Sequence, residues 1–482
     1  MPDIRRSILW VSISQYINLA VGIASTWLLS RLLTPAEFGI SVLGWAVLGS
    51  VESLREFASG SFLIREGELN SDTKRTSVTI NVLITSVVTA GLLLLAGPLA
   101  RYFAVPDLER FLYVVSSAFV LGAILYPQQA LMSREQTFGK LGLISSAMTL
   151  AGSLVSVVLA YHEFAALSFA WGTVAMSTVG AVLCMAVRQD IAIYRPSLRS
   201  WRSVLSFGLH NGVTAIISRI AEVVPVFVFG KIWTPAELAI ASRAVLVSGV
   251  AERIVFGPVL AVALPEFSRQ AREGHDLKFS YLRALTLISV VHWPGMIMIA
   301  LLARPIVLVV MGHQWLDAIP LIRIYCPASI FAVPIGLQYA VLSAVGGIKI
   351  LPRLIGLQSA LMISVLVLMA RHGLEVVAWS MYPVFAIGGL LSLLVVRSRI
   401  KFDWGDLVAS LALSVVVTLL AIVGPLAIFL AVQDMTPLLS GAAILTAGLG
   451  WILGLYISSH PMWSEVCRVA QATRYVVLKN KR

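Results

Sequence analysis

The seven residues TPAEFGI at positions 34–40 return as TPAELAI at positions 234–240. In each copy a threonine precedes a proline and stands three residues before a glutamate. This order is typical of a helix start, because threonine and glutamate form a capping box and proline suits the first helical position. An acid also recurs at the same offset of 200 residues, as Glu52 and Glu252. The recurrence predicts one structural unit that is built twice.

The chain around this repeat is far more apolar than a soluble domain. Of its 482 residues, 58% are hydrophobic and only 12% are charged, and the mean hydropathy is +0.89. In soluble domains about a quarter of the residues are charged. Apolar runs of about 20 residues, long enough to cross a bilayer as a helix, recur along the chain. We therefore predict an all-α integral membrane protein.

The apolar runs predict fourteen transmembrane helices. They span residues 8–30, 38–63, 77–100, 111–132, 141–161, 164–187, 204–229, 238–264, 283–303, 319–342, 354–370, 376–396, 407–431 and 439–457. Because helices one to six correspond to helices seven to twelve in the same orientation, we expect two six-helix lobes related by a pseudo-two-fold axis along the membrane normal. The predicted division is an N-lobe at 1–190, a C-lobe at 191–400, and two further helices with a basic tail at 401–482.

Basic residues predict the orientation, since lysine and arginine collect in cytoplasmic loops. With the N-terminus inside, 25 of the 36 Lys and Arg fall in cytoplasmic segments and six in outer segments. Both termini are therefore expected in the cytoplasm. The net charge of +12 follows from the same bias and predicts contact with anionic membrane lipids, not with nucleic acid.

Nine arginines and glutamates fall in the interior of the predicted spans, where each costs about 3 kcal/mol and usually faces a partner or a water-filled cavity. They are Glu52, Arg55, Glu56, Arg219, Glu222, Arg243, Glu252, Arg253 and Arg323. Two interpretations stay open. Neighbours three apart, such as Glu52 with Arg55 or Arg219 with Glu222, would neutralise each other on one helix face. Alternatively, the arginines bind an anionic headgroup, because a guanidinium matches phosphate oxygens and stays charged when buried.

The arginines are the predicted binding site for that headgroup. Positions at mid-membrane or in the inner half are predicted for Arg55, Arg219 and Arg253, and positions nearer the outer face for Arg243 and Arg323. A role as counter-charges or ion-coupling groups is expected of the acids Glu52, Glu56, Glu222 and Glu252. We predict no catalytic residue, metal site or cofactor, since the chain has no phosphate-binding glycine loop, zinc spacing or nucleophile elbow. Coupling to a sodium or proton gradient stays open.

Tryptophans and prolines carry two further expectations. Membrane interfaces, where indole rings anchor helices, are expected for Trp10, Trp201, Trp233, Trp293 and Trp315. Bends are expected where prolines fall inside predicted helices, at Pro225, Pro258, Pro334 and Pro383.

The sequence also resembles a known family. The stretch ISQYINLAVGIASTWLLSRLLTPAEFGI at 13–40, with REGELNSDTKRTS at 65–77, GPLARYFAVPDL at 97–108 and LPEFSR at 264–269, resembles bacterial polysaccharide transporter proteins. These are the oligosaccharide flippases of the multidrug/oligosaccharidyl-lipid/polysaccharide exporter superfamily. The resemblance implies two six-helix bundles around a cationic cavity that opens alternately to each face of the bacterial inner membrane.

The resemblance also implies the cargo and the partners. The cargo would be an oligosaccharide repeat on undecaprenyl diphosphate, moved to the periplasmic leaflet for exopolysaccharide, capsule or O-antigen assembly. Polysaccharide polymerase and export proteins are further partners that it implies. We therefore predict a flippase and not an enzyme.

Other functions stay open. A flippase for the peptidoglycan lipid precursor would need the same diphosphate chemistry. An ion-coupled multidrug exporter of the same fold should carry an acidic cavity, against the excess of arginine found here. A membrane glycosyl polymerase or ligase is expected to have a long periplasmic loop, and the loops predicted here are short.

Overall fold

The computed structural model describes residues 2–55, 60–65, 70–432 and 436–468, and all regular structure within these ranges is helical. At 53–55, 207–222 and 253–254, among other positions, it describes the backbone only. Packing divides the chain into two compact units, Met1–Ile240 and Ala241–Arg482. The predicted division at residues 190 and 400 stays a prediction.

In its described residues the first unit contains eight helices and the start of a ninth. They are α1 (Pro2–Leu32), α2 (Pro35–Arg55), α3 (Gly60–Arg65), α4 (Ser71–Phe103), α5 (Asp107–Arg134), α6 (Phe138–Tyr161), α7 (Leu167–Val187), α8 (Trp201–Ile232) and α9 (Pro235–Arg272). Helix α5 packs against α4 and α7, and α6 packs against α1 and α7. Helix α8 packs against α2 and α4.

The second unit begins within α9. It continues with α10 (Lys278–Leu301), α11 (Ala303–Val310), α12 (Ala318–Ala328), α13 (Val333–Ala344), α14 (Leu351–Met369), α15 (Leu374–Ile400), α16 (Trp404–Ala431) and α17 (Pro437–Ile457). Helix α10 packs against α12 and α16, and α16 packs against α17. The main apolar core of this unit joins α9, α10, α13 and α15, with the fully buried ring of Tyr281 and the side chain of Leu337 at its centre.

Ten helical segments in the described ranges are long and apolar enough to cross a membrane. Each lies on one of the fourteen predicted spans, and the other four predicted spans lie on α1, on α2 and α3, on α8, and on α9. Aliphatic side chains on these helices are widely exposed; Leu438, for example, is 84% exposed. Since a bilayer accepts such side chains and water does not, the chain is a multi-pass membrane protein. The count of fourteen and the two-lobe symmetry stay predictions.

The repeated motif forms the same structure at the starts of α2 and α9. The Glu37 carboxylate accepts hydrogen bonds from the Thr34 backbone N–H at 2.8 Å and from its hydroxyl at 2.9 Å, and the Thr34 Oγ1 atom accepts the Glu37 N–H at 3.3 Å. Thr234 and Glu237 repeat these three distances. The predicted capping boxes are confirmed, and each helix start supplies its own hydrogen-bond partners.

The predicted prolines behave in two ways. The span predicted at 319–342 is interrupted, because α12 ends at Ala328, a 3₁₀ turn covers Ser329–Ala332, and Pro334 sits in the first turn of α13. By contrast, α8 and α15 run on without a break through Pro225 and Pro383. Pro258 lies inside the continuous helix α9.

Residues 188–200, which join α7 to α8, are attached to the first unit. The Tyr194 hydroxyl donates to the Ile124 carbonyl oxygen at 2.9 Å, and burial raises the pKa of Tyr194 to about 12. The Arg75 Nε atom donates to the Ala192 carbonyl oxygen at 3.2 Å, and Arg199 pairs with Asp72 at 3.1 Å. The linker therefore holds the start of α8 against α4.

An amide network joins three helices inside the second unit. Gln338 of α13 and Gln358 of α14 exchange hydrogen bonds at 3.1 and 3.2 Å, and the Ser392 hydroxyl of α15 donates to the Gln338 Oε1 atom at 2.7 Å. Within a membrane protein such bonds satisfy polar groups that the hydrocarbon cannot solvate. The network therefore fixes α13, α14 and α15 relative to one another.

Candidate functional site

Arg243 is a predicted site residue that the structure places inside the protein. It lies in the third turn of α9 and is 4% exposed. Its Cζ atom stands 5.2 Å from the centre of the Trp315 ring, which is wholly buried just before α12. A guanidinium stacked on an indole is held by a cation–π interaction, and its N–H donors point outward in its own plane. This geometry orients a charged fork inside the helix bundle.

Further along α9, polar side chains face α12. The Ser248 hydroxyl stands 3.3 Å from the Cys326 Sγ atom. Glu252, half buried, lies within electrostatic reach of Tyr325 and Cys326. Ser248 and Glu252, four residues apart, therefore share the face of α9 that meets α12. Arg243, nine residues before Glu252, starts from the opposite side of α9 and reaches Trp315 just before α12.

Arg323 has different surroundings. It is an exposed residue of α12, and its Cζ atom lies 5.2 Å from the centre of the Phe429 ring in α16. The two arginines predicted nearer the outer face therefore stack on different aromatic rings, one buried and one half buried. Of these two arginines, Arg243 is the one whose surroundings would shield a bound anion from water.

Glu52 of α2 lies in the first unit. Its exposed carboxylate accepts a hydrogen bond from the Tyr126 hydroxyl of α5 at 3.3 Å. The backbone places the other predicted residues on helices, namely Arg55 on α2, Arg219 and Glu222 on α8, and Arg253 on α9. The side chains of these four lie outside what the structure describes, and Glu56 lies outside the described residues altogether. Their roles, and the pairing of neighbours three apart, stay predictions.

The structure assigns Trp315 a role that differs from its predicted one. An interfacial anchor was expected at Trp315 and at Trp233. Trp315 is instead wholly buried against Arg243, and Trp233 is buried in a stack on the Phe229 ring at 4.0 Å. The anchor prediction is wrong for both, while Trp10 and Trp201 are exposed as expected. Arg243 and Trp315 lie far apart in the sequence, so no local pattern signals their contact.

Among the described residues of the second unit, two cavities bear on the site. An apolar cavity of about 530 Å³ is lined by α10, α13, α15 and α16, including Trp293, Phe331 and Leu390. A polar cavity of about 660 Å³ lies at the start of α10, between α16 and residues 461–464. At its rim Lys278 pairs with Asp406 at 2.6 Å and Arg283 pairs with Glu465 at 2.9 Å. One cavity therefore suits a hydrocarbon chain, while the charges of the other are neutralised within the protein.

Comparison with known proteins places this chain among polysaccharide biosynthesis proteins. The family model described as "Polysaccharide biosynthesis protein" matches residues 28–320. Lipopolysaccharide biosynthesis protein WzxC of Escherichia coli K12 is 24% identical over 66% of this chain and 65% of that protein. Succinoglycan biosynthesis transport protein ExoT of Rhizobium meliloti is 22% identical over the same shares. The chain thus spans 65% of the length of these two relatives.

Solved structures show the same fold. The lipid II flippase MurJ, in an inward closed conformation, matches with a TM-score of 0.69 at 14% identity, over 93% of this chain and 98% of that one. An inward-facing multidrug resistance transporter of the MATE family, in the MOP superfamily, matches with a TM-score of 0.62 at 15% identity, over 82% of this chain and 98% of that one. The predicted all-α membrane-protein fold class is confirmed.

The family match includes both copies of the repeated motif, at 34–40 and 234–240. It also confirms the family resemblance, and it covers residues 28–40 of the stretch at 13–40 on which that resemblance was based. Since the match covers more than half of the 482 residues, the chain belongs to the polysaccharide biosynthesis protein family.

Proposed function

We propose that this protein is a flippase that carries an undecaprenyl-diphosphate-linked oligosaccharide repeat unit from the cytoplasmic to the outer leaflet. It works by alternating access and serves exopolysaccharide, capsule or O-antigen assembly. The observation that carries the proposal is the buried guanidinium of Arg243, oriented by Trp315 inside a membrane transporter fold. The names of WzxC and ExoT, which refer to polysaccharide biosynthesis and transport, support it.

The chemistry of the headgroup explains the choice of arginine. A diphosphate presents several anionic oxygens, and a guanidinium binds two of them at once through parallel N–H donors. Lysine would offer a point charge that cannot stack flat on Trp315. Arg55, Arg219 and Arg253 are further proposed ligands from their predicted depth. Five arginines against four acids leave a positive excess in the predicted spans, which suits an anionic cargo.

The other parts of the cargo need different surroundings. Sugars are costly to place in hydrocarbon, so they require a hydrated path. The prenyl chain requires an apolar one, and the cavity of about 530 Å³ between α10, α13, α15 and α16 offers such a surface. Glu52, Glu56, Glu222 and Glu252 are proposed as counter-charges or as groups that couple transport to a sodium or proton gradient. The termini are proposed to lie in the cytoplasm. Polysaccharide polymerase and export proteins are further proposed partners.

A second candidate is a flippase for the peptidoglycan lipid precursor. It is favoured by the fold shared with MurJ over 93% of this chain. Its cargo carries the same diphosphate on a lipid, so Arg243 would serve either cargo. The excess of arginine argues against a multidrug exporter for cationic compounds.

The decisive experiment measures lipid-linked oligosaccharide in each leaflet of cells with and without the gene, together with secreted polymer. Loss of the gene should leave the glycolipid on the cytoplasmic side and stop polymer export. Re-expression with Arg243→Gln should fail to restore export at normal protein level, whereas the matched control Arg371→Gln, an exposed residue between α14 and α15, should restore it. Accumulation of peptidoglycan precursor with cell lysis would favour the second candidate, and unchanged glycolipid would overturn both.

A further inference from the structure

The two copies of the repeated motif touch each other. Gly39, in the first turns of α2, lies against Pro235, the first residue of α9. A Cβ atom at position 39 would overlap the carbonyl oxygen of Pro235. Only glycine lets the two backbones approach this closely. Ala239, which matches Gly39 in the second copy, is wholly buried.

A second glycine makes an equivalent contact one helix earlier. A Cβ atom at Gly230, in the last turn of α8, would overlap the Leu43 side chain of α2 and stand 3.2 Å from the Phe103 ring of α4. Leu43 and Phe103 are both buried. Phe103 also meets the Phe227 ring edge to face at 5.4 Å. The end of α8 is therefore packed on α2 and α4 through small and aromatic groups.

A polar contact of Lys231 accompanies this packing. The Lys231 ammonium donates to the Tyr102 carbonyl oxygen at 2.6 Å and lies 4.7 Å from the centre of the Tyr102 ring. We name the whole contact the outer seam. It is formed by Gly39, Leu43 and Phe103 on one side and by Gly230, Lys231 and Pro235 on the other.

The position of the outer seam indicates its role in transport. Its first side belongs to helices of the predicted N-lobe and its second side to helices of the predicted C-lobe. Its residues lie at the predicted outer ends of these helices. A carrier that works by alternating access must part its lobes at this end when it releases cargo outward. We propose that the outer seam is the outer gate of this flippase, and that Gly39 and Gly230 are the positioning residues that let the gate close. This proposal rests on the proposed function.

The helix starts at the seam are built so that they can separate. Thr34 pairs with Glu37 and Thr234 with Glu237, each within its own copy. No capping bond of either box crosses the seam, so parting the two copies leaves both caps intact. Opening would break the van der Waals contacts at Gly39 and Gly230 and the bond from Lys231 to the Tyr102 carbonyl oxygen.

The test follows the accessibility of the seam from outside. Leu43→Cys is placed in a chain whose three native cysteines are replaced by serine, and intact spheroplasts are treated with a membrane-impermeant maleimide. Gly39→Leu cannot fit the closed seam and should raise the labelling rate by about tenfold or more through a shifted equilibrium. The matched control is Gly91→Leu in α4, where a Cβ atom meets nothing within 4 Å, and it should leave the rate unchanged.

A second variant avoids the added bulk. Lys231→Gln removes the ammonium group that contacts the Tyr102 carbonyl oxygen and ring, and it adds no bulk. It should therefore raise the labelling rate by a smaller factor than Gly39→Leu does. If Gly39→Leu fails to reach the membrane, Lys231→Gln alone decides the outcome. Unchanged labelling of a membrane-inserted Gly39→Leu or Lys231→Gln chain overturns the gate. The labelling experiment measures opening of the seam without any cargo, so its result does not depend on whether the proposed cargo is correct. Conversely, if the seam is not the gate, the leaflet experiment can still show transport of the proposed cargo.

Discussion

The guanidinium of Arg243 lies 5.2 Å from the centre of the Trp315 ring, and both side chains are buried. We expect Arg243→Gln and Arg243→Lys each to lower export by about tenfold or more, because neither replacement offers a flat charged fork. Trp315→Phe keeps an aromatic face and should cost less than Trp315→Ala. Secreted polymer, normalised to protein level in the membrane, checks this order. Equal export from Trp315→Ala and the unchanged chain would contradict a positioning role for the ring.

The matching capping boxes predict matching stability effects. Thr34→Ala and Thr234→Ala should each lower the free energy of unfolding by about 1 kcal/mol, the usual loss for an N-cap residue. The effects should be similar because the two boxes share their three distances. Thermal unfolding in detergent measures them. Thr178→Ala, an exposed residue within α7, is the control and should change stability little. A clear effect in one copy alone would argue against equivalent roles.

His460, buried just after α17, predicts a loss of stability in acid. Its Nδ1 atom accepts the Met462 N–H at 3.1 Å, and its Nε2 atom lies 3.3 Å from the Ser414 hydroxyl. Burial lowers the pKa of His460 to about 4, against about 6.5 in an unfolded chain. The unfolded chain thus binds the proton first as pH falls. This contribution to stability is constant above pH ~6.5 and declines from there to about pH 4.

The measurement for His460 is the unfolding temperature between pH 8 and pH 4.5. In His460→Gln the decline over this interval should be smaller than in the unchanged chain. His275→Gln serves as the control, because that side chain is exposed beside Glu273. If His460→Gln and the unchanged chain decline in parallel, acid sensitivity arises elsewhere.

The amide network between α13, α14 and α15 predicts coupled effects. Gln358→Leu removes the partner of the Gln338 amide and should destabilise the protein by about 1 to 2 kcal/mol, since a buried polar group is left unsatisfied. In the Gln358→Leu chain, the additional change Gln338→Leu should destabilise the protein less than Gln338→Leu does by itself, because neither amide is then left without its partner. Thermal unfolding of the two single variants and the double variant measures the coupling. Strict additivity would mean that the two amides do not interact.

The features that could be predicted from the sequence are those that depend on residues close together in the chain. Thr34 and Glu37 stand three apart, so the chain itself fixes their meeting at a helix start. The ten membrane-crossing segments follow in the same way from continuous apolar runs. Membership of the family was also predictable, because each of its motifs, such as the one at residues 13–40, is a short continuous stretch of sequence.

Contacts between distant residues were not predictable in this way. The pattern around Trp315 suited an interfacial anchor, and its contact with Arg243 depends on how α9 lies beside α12. Likewise, nothing near Gly39 indicates that Pro235, nearly 200 residues later, would lie against it. The positions of the arginines within the apolar runs predicted that they lie in membrane spans. The surroundings of Arg243 and Arg323 nevertheless differ, because the neighbouring helices, and not depth alone, determine which aromatic ring each one meets.

The self-contained capping boxes bear on how a protein of this kind can arise. A segment whose helix start satisfies its own backbone donors can be duplicated and fused in tandem without creating an unsatisfied end. The second copy then needs only an apolar face to pack, and its sequence is free to diverge elsewhere. Retention of Thr, Pro and Glu at both 34–37 and 234–237, amid otherwise dissimilar helices, is what such a gene duplication would leave behind.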